Sequence, residues 1–171
     1  MREAVRLATC PIIGFADADN KVPIQEYDKV APLLSAGCPV VIGSRALEHS
    51  LIERAQPWYR RAGGKGFHIF MRAATGLRHI SDTQCGFKFF RQDVAKQVFA
   101  LQTIDGYMYD VEILLLLQRL GIAVREVPIR WRDDGDSRLQ MVHGNFHNVR
   151  DILRIRRETR AAVEDIKRLS R

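Results

Sequence analysis

The chain is expected to fold as an α/β domain, a mixed or parallel sheet with flanking helices, and three stretches carry that expectation. The first is Ile12-Ile13-Gly14-Phe15-Ala16, an apolar run of strand length that stops at Asp17-Ala18-Asp19. The second is Ile24, Tyr27, Val30, Ala31 and Leu34, which recur at helical spacing behind Pro23 and end at Gly37. The third, Pro39-Val40-Val41-Ile42-Gly43, is a strand without a charged residue, the pattern of a sheet covered on both faces. Strand, helix and strand form a βαβ unit. Residues 2–8 before it read as the closing turns of a helix.

Downstream, the polar stretch 46–56 reads as a loop over the sheet edge, with Arg54, Arg60 and Arg61 near its end. A helix is expected from about Trp58 to Thr75, burying Phe67, Ile69, Phe70 and Met71 and stopping at Gly76. Gly63-Gly64-Lys65-Gly66 lacks the spacing, the Ser or Thr after Lys and the preceding strand of a phosphate loop, so it is read as helix packing or a kink. Phe87 to Phe90 alternates as a strand, with Phe87 and Phe89 on one face and Lys88 and Phe90 on the other. Helices follow at Arg91–Leu101 and Val111–Leu120, the latter closed by Gly121. Val124 to Trp131 alternates as a strand that Pro128 assigns to an edge. Residues 132–138 form a charged loop. From about Asn145, Val149, Ile152, Leu153, Val163, Ile166 and Leu169 trace an apolar stripe beside Arg150, Arg154, Arg157 and Arg160. That pattern is a basic amphipathic helix, packed on the domain or lying on a membrane surface. The chain is thus divided into 1–144, a catalytic-type domain, and 145–171, the basic helix.

Composition narrows the function. With 171 residues, 46% hydrophobic and 27% charged, the chain suits one globular domain and not a disordered segment. No apolar run approaches the roughly 20 residues of a membrane span, and the N-terminus lacks a signal-peptide pattern, so the chain as given is expected to be soluble or peripheral. Cys10, Cys38 and Cys85 have no metal-ligand spacing and read as free thiols of a reducing compartment. His143 and His147 have zinc-like spacing but no acid of the HExxH kind between them, and read as ordinary histidines. A net charge of +7 asks for an anionic partner: nucleic acid, a phosphorylated substrate or an acidic membrane.

The chemistry-bearing positions lie at strand ends. Asp17 and Asp19 sit one residue apart, so in an extended chain they project the same way and offer a site to Mg²⁺ or Mn²⁺ with a nucleotide diphosphate. The alternative is that both merely shape a turn. Ser44 and Arg45 follow the second strand and bring a hydroxyl and a guanidinium to the same edge. Glu112, set among Val111, Ile113 and the Leu114–Leu117 run, faces either solvent or the site.

Together Asp17-Ala18-Asp19, Val41-Ile42-Gly43-Ser44-Arg45, Asp82-Thr83-Gln84-Cys85-Gly86-Phe87-Lys88, Tyr109-Asp110-Val111-Glu112 and Glu126-Val127-Pro128-Ile129-Arg130-Trp131 resemble the family 2 glycosyltransferases over nearly the whole chain. Within them the chain looks most like the dolichyl-phosphate or polyprenyl-phosphate β-glucosyltransferase branch. The resemblance implies a GT-A type fold and transfer of a sugar, glucose from UDP-glucose, to a polyprenyl or dolichyl phosphate with inversion and a Mg²⁺ or Mn²⁺ cofactor. It implies that Asp17 and Asp19 hold the metal. It places Ser44, Arg45 and Arg60 or Arg61 on the phosphate side, and Asp82, Gln84 and Glu112 toward the sugar and acceptor. It also implies peripheral contact at the cytosolic face of a membrane, where the acceptor resides.

Two departures stand out. Lys21 occupies a position where some relatives carry a glutamine metal ligand; an ammonium cannot bind the cation and is available to phosphate. The family pattern also begins roughly 70 to 90 residues earlier, with strands that hold the nucleotide. The chain therefore reads as the later part of such an enzyme, with the edge of the Ile12 strand exposed and prone to self-pairing. Alternatives from other classes are a non-catalytic remnant or partner-dependent subunit, and a basic nucleic-acid-binding module, for which no recognition motif is present.

Overall fold

A computed structural model describes residues 1–54, 70–77, 79–106, 108–132 and 144–169. In order these form α1 (Arg2–Leu7), β1 (Ile12–Ala16), a 3₁₀ helix (Ile24–Lys29), α2 (Ala31–Ser35), β2 (Val40–Ser44), β3 (Leu51–Arg54), the helical residues 70–75 (α3), β4 (Phe87–Arg91), α4 (Gln92–Ala100), α5 (Tyr109–Arg119), β5 (Val124–Pro128), β6 (Arg130–Arg132) and α6 (Gly144–Leu169).

The main sheet is mixed, in the order β1-β4-β2-β5. β4 runs antiparallel to both β1 and β2, and β5 is parallel to β2. β1 and β2 therefore point the same way, as a βαβ unit requires, but β4 is inserted between them. β2 is buried at every position, and alternate β4 side chains enter two cores. Val40, Ile42 and Phe90 pack with α4, α5 and α6 on one face, while Val41, Phe87 and Phe89 pack with Val30 and Leu34 on the other. Ile152 and Val163 of the stripe read in the sequence belong to the first core, joined by Ile155, which the stripe did not include, so α6 packs on the domain; Leu153 stays 62% exposed.

The expected crossover helix is broken in two. Pro32 lacks the N–H that would bond the carbonyl of Asp28, so the first half tightens to 3₁₀ and α2 begins with the proline in its first turn. The tighter winding leaves Ile24 60% exposed and turns Glu26 inward. Within the expected 46–56 loop, β3 forms and pairs in parallel with β6. Leu51 and Ile52 are both exposed, so the alternation that would have marked a half-buried strand is absent from its sequence. In α3 Met71 is buried and Phe70 is not, since the helix has one inward face. Gly76 and Gly121 end α3 and α5 at positive φ. Phe67, Ile69, the Gly63–Gly66 run, Arg60, Arg61 and the 133–138 loop lie outside the described residues. β5 forms one edge of the sheet, with Pro128 at its end. The other edge is β1, where Gly14 and Ala16 are exposed and Ile12, Ile13 and Phe15 are half-buried.

Candidate functional site

β1 ends at Ala16, so Asp17 and Asp19 converge through a turn and not through strand alternation. The Asp17 N–H donates to the Gly86 carbonyl at 2.9 Å, and the Asn20 N–H closes the turn on the Asp17 carbonyl at 3.3 Å. Asn20 takes a left-handed conformation, φ 54°, which asparagine tolerates. The chain reverses there. The Lys21 N–H donates to Asp19 Oδ1 at 3.2 Å, and the Lys21 ammonium lies 3.0 Å from Asp19 Oδ2. Glycine at 86 lets the Asp17 carboxylate lie against the backbone: a Cβ at that position would overlap it, and the carboxylate would have to move.

These residues open on a cleft lined by Asp17, Asp19, Lys21, Arg45, Gln84 and Trp131. Arg45 leaves the end of β2 and is held by Asp82 through Nε at 2.6 Å, Nη2 at 2.8 Å and its backbone N–H at 3.0 Å. Its guanidinium carbon also sits 5.6 Å from the Trp131 ring centre. Burial would raise the Asp82 pKa, but hydrogen bonds and charge from Arg45 outweigh it and hold the carboxyl below the ordinary aspartate value. Asp82 is itself fixed from β5, where the Glu126 carboxylate accepts from the Ser81 and Asp82 N–H groups at 2.9 and 3.1 Å. Glu26, paired with Lys29 and Arg130, ties the 3₁₀ helix to β6, and the Arg132 N–H donates to the Lys21 carbonyl at 3.0 Å.

Gln84 lines the same cleft, and its Nε2 is buried without a hydrogen-bond partner among the described residues. A donor in that state is poised for a ligand acceptor. The neighbouring Cys85 thiol is pushed up to about 12, first by burial and then by the charge of Asp82, and is unsuited to act as a nucleophile.

Two predicted residues do not join the group. Glu112 is fully buried but turned away: it accepts from Thr103 N–H at 2.9 Å, Thr103 Oγ1 at 2.6 Å and Ile104 N–H at 2.9 Å. Both sequence alternatives, solvent or site, give way to a third, a buried clasp on the turn before α5. Ser44 is also buried; its Oγ accepts from Ala46 N–H at 3.4 Å and its carbonyl from Ser50 Oγ at 2.6 Å, shaping the turn that carries Arg45.

The structure adds residues that the sequence reading left without a role. Lys88 is completely buried and donates to Asp110 Oδ1 at 2.9 Å and the Cys85 carbonyl at 2.5 Å, with its ammonium 5.6 Å from the Phe15 ring centre. Burial raises the Asp110 pKa; Lys88 opposes that shift, and the charges of Asp17 and Asp82 add to it. Lys88 thus pairs with Asp110, and its charge also acts on Asp82. Its inward direction was legible in the β4 alternation, and Asp110 stood two residues from Glu112.

The donor set suits a hard cation. Asp17 and Asp19 present carboxylates on one wall, and among the described residues no group of three or more His, Cys, Asp or Glu could enclose a metal by itself. Such a site fits Mg²⁺ or Mn²⁺ that takes its remaining ligands from water and a diphosphate.

Comparison with known proteins places this site in a family context. The dolichyl-phosphate β-glucosyltransferase of Dictyostelium discoideum is 32% identical over 145 residues, 82% of this chain and 44% of that protein. The Drosophila melanogaster protein of the same name is 36% identical over 132 residues, 73% of this chain and 40% of its own length. The Saccharomyces cerevisiae one is 31% identical over 156 residues, 83% and 46% respectively. The chain thus spans less than half the length of each of these relatives. Glucosyl-3-phosphoglycerate synthase from Mycobacterium tuberculosis, solved with UDP, superposes with a TM-score of 0.59 at 17% identity, covering 92% of this chain and 52% of that one. The same enzyme was also solved with Mn²⁺, UDP-glucose and glycerol 3-phosphate, and matches with a TM-score of 0.56 at 16% identity over 90% of this chain and 51% of that one. The likeness establishes the GT-A type fold. No protein-family model matches the chain.

Proposed function

We propose that the chain, which is similar to dolichyl-phosphate β-glucosyltransferases and has a GT-A type fold, is a family 2 glycosyltransferase whose cleft takes a nucleotide-sugar, UDP-glucose, and transfers the sugar to a polyprenyl or dolichyl phosphate with inversion. The observation that carries this reading is the meeting of Asp17 and Asp19 with a clamped Arg45 in one cleft. Acids for a cation and a fixed guanidinium for a phosphate are what a donor diphosphate and an anionic acceptor require.

In this reading Asp17 and Asp19 hold Mg²⁺ or Mn²⁺, which when bound would offset charge developing on the departing diphosphate. Arg45, kept rigid by Asp82 and Trp131, orients the acceptor phosphate, and Arg60 or Arg61 adds to that side. Gln84 donates from Nε2 to a sugar or phosphate oxygen. Asp82 acts as the positioning partner of Arg45, since both its oxygens are occupied by that side chain. No strong base is needed, because a phosphate monoester is already largely ionised near neutral pH. One acceptor oxygen forms the new bond to the anomeric carbon as the bond to the diphosphate breaks, from opposite faces of the sugar.

Access to a lipid acceptor is assigned to α6, whose Arg150, Arg154, Arg157 and Arg160 are exposed while its apolar residues Ile152, Ile155 and Val163 are buried in the core. Contact in this reading is electrostatic and weakens with salt, and the cytosolic face is the side proposed for it. No described helix is long and apolar enough to cross a membrane.

The test is transfer of radiolabelled glucose from UDP-glucose to a detergent-dispersed polyprenyl phosphate by the chain, with and without Mn²⁺, beside Asp19→Ala. Organic-extractable product that requires both the metal and Asp19 is expected. Metal-dependent UDP binding without product would favour the second reading, a subunit completed by a partner, for which β1 argues as a sheet edge without a further neighbour among the described residues. Neither binding nor transfer would refute the site.

A further inference from the structure

Lys21 is aimed at the wrong charge for a simple phosphate ligand. Its ammonium sits 3.0 Å from Asp19 Oδ2, on one of the two acids that the proposed site gives to a divalent cation. This direction is built into the backbone. The left-handed Asn20 reverses the chain, the Lys21 N–H is fixed on Asp19 Oδ1, and the Lys21 carbonyl is fixed by the Arg132 N–H of β6. The side chain is 20% exposed and lines the cleft beside Asp17 and Arg45.

Charge makes the arrangement intelligible. Two carboxylates facing one cleft repel each other, and a tethered ammonium offsets that repulsion without closing the site. Arg45 is already paired with Asp82, whereas the ammonium of Lys21 lies on Asp19 itself. A divalent ion that binds at Asp19 repels the ammonium beside it and competes with it for Oδ2. We propose that Lys21 is a built-in counter-ion that Asp19 exchanges for the divalent metal, and that the displaced ammonium then binds the diphosphate of the donor. This inference rests on the metal reading of Asp17 and Asp19 and adds a partner exchange to it. The exchange leaves Asp19 paired with a cation at every stage and brings a positive charge to the diphosphate as that group arrives.

The experiment measures free Mn²⁺ by electron paramagnetic resonance during titration of the full chain, without nucleotide, for the wild type, Lys21→Gln, Lys21→Arg and Asp19→Asn. UDP affinity is then measured by calorimetry at saturating Mn²⁺. Lys21→Gln is expected to bind Mn²⁺ roughly fivefold more tightly than wild type, the size of effect that removal of one exposed competing charge produces. It should bind UDP several-fold more weakly, while Lys21→Arg stays near wild type in both. Unchanged or weaker Mn²⁺ binding by Lys21→Gln, with Asp19→Asn impaired, overturns the exchange and leaves the metal site standing. Mn²⁺ binding that survives Asp19→Asn undiminished overturns the metal reading and the exchange with it. Near-ultraviolet circular dichroism confirms that each variant retains its fold.

Discussion

Replacing Asp82 by Asn tests whether this acid acts on substrate or on Arg45. The carboxylate accepts from Nε, Nη2 and the backbone N–H of Arg45, and a carboxamide of the same shape retains one acceptor and loses the charge. Breaking a fully buried pair costs about 3–5 kcal/mol. Here the Asp82 side chain is 9% exposed but that of Arg45 is 33% exposed, so water recovers part of the loss. A cost of about 1–2 kcal/mol follows. The pH dependence has a definite sign. The folded pKa of Asp82 lies below its unfolded value, so the stabilisation is present above the unfolded pKa and is lost as pH falls through the folded one. Urea unfolding followed by far-ultraviolet circular dichroism at pH 7 and at successively lower pH should show the wild type losing its advantage over Asp82→Asn below about pH 4. Glu26, also held below its ordinary value by Lys29 and Arg130 against the effect of burial, is common to both proteins and cancels in the difference. Equal stability at pH 7, combined with abolished transfer, would refute the positioning role and return Asp82 to direct chemistry.

Gly86→Ala should push the Asp17 carboxylate out of its seat and weaken Mn²⁺ binding about tenfold or more, since the added methyl overlaps that carboxylate; unchanged binding in the same resonance titration, for this variant and for Asp17→Asn, would exclude Asp17 as a ligand. Glu112→Ala should destabilise the fold by about 3 kcal/mol, because three donors on Thr103 and Ile104 lose their acceptor. Its UDP affinity, measured calorimetrically well below the unfolding temperature, should stay at the wild-type level, and a selective loss there would restore Glu112 to the site. The open edge of β1 should make the chain self-associate in a concentration-dependent way, and a monodisperse monomer across the accessible range in sedimentation velocity would contradict that.

The elements that the sequence made legible are those whose burial follows a simple period. β2 is apolar throughout and is buried throughout, and Phe87 and Phe89 oppose Lys88 and Phe90 as alternation requires. Helix ends at Gly76 and Gly121 were marked by the residue that tolerates positive φ. Strand order was not legible, because nothing local in β4 encodes its insertion between β1 and β2. β3 was missed for a related reason: its partner is β6, nearly 80 residues away, and its side chains are exposed. The acids were harder still. Asp110 and Glu112 both lie in the first turn of α5, and both are buried. A shift of two residues decides that one meets Lys88 while the other clasps the 103–104 turn.

The inserted strand is also what makes the site. β1 and β2 point the same way, and β4 runs against them, so the ends of the first two strands lie beside the beginning of the third. Ala16 pairs with Phe87, which places Asp17 next to Gly86 at hydrogen-bond distance. Ile42 pairs with Lys88, and two residues further the chain reaches Ser44, which brings Arg45 to Asp82 in the approach to β4. Had β1 and β2 been direct neighbours, the acids and the guanidinium could still have shared an edge, but the stretch from Asp82 to Gly86 would not have stood between them. The same insertion supplies Arg45 with its anchor, Asp17 with its seat and Gln84 with its place in the cleft. A local substitution in residues 82–86 should therefore disturb the cation side and the phosphate side together, whereas one in Trp131, which packs against Arg45, should disturb the phosphate side.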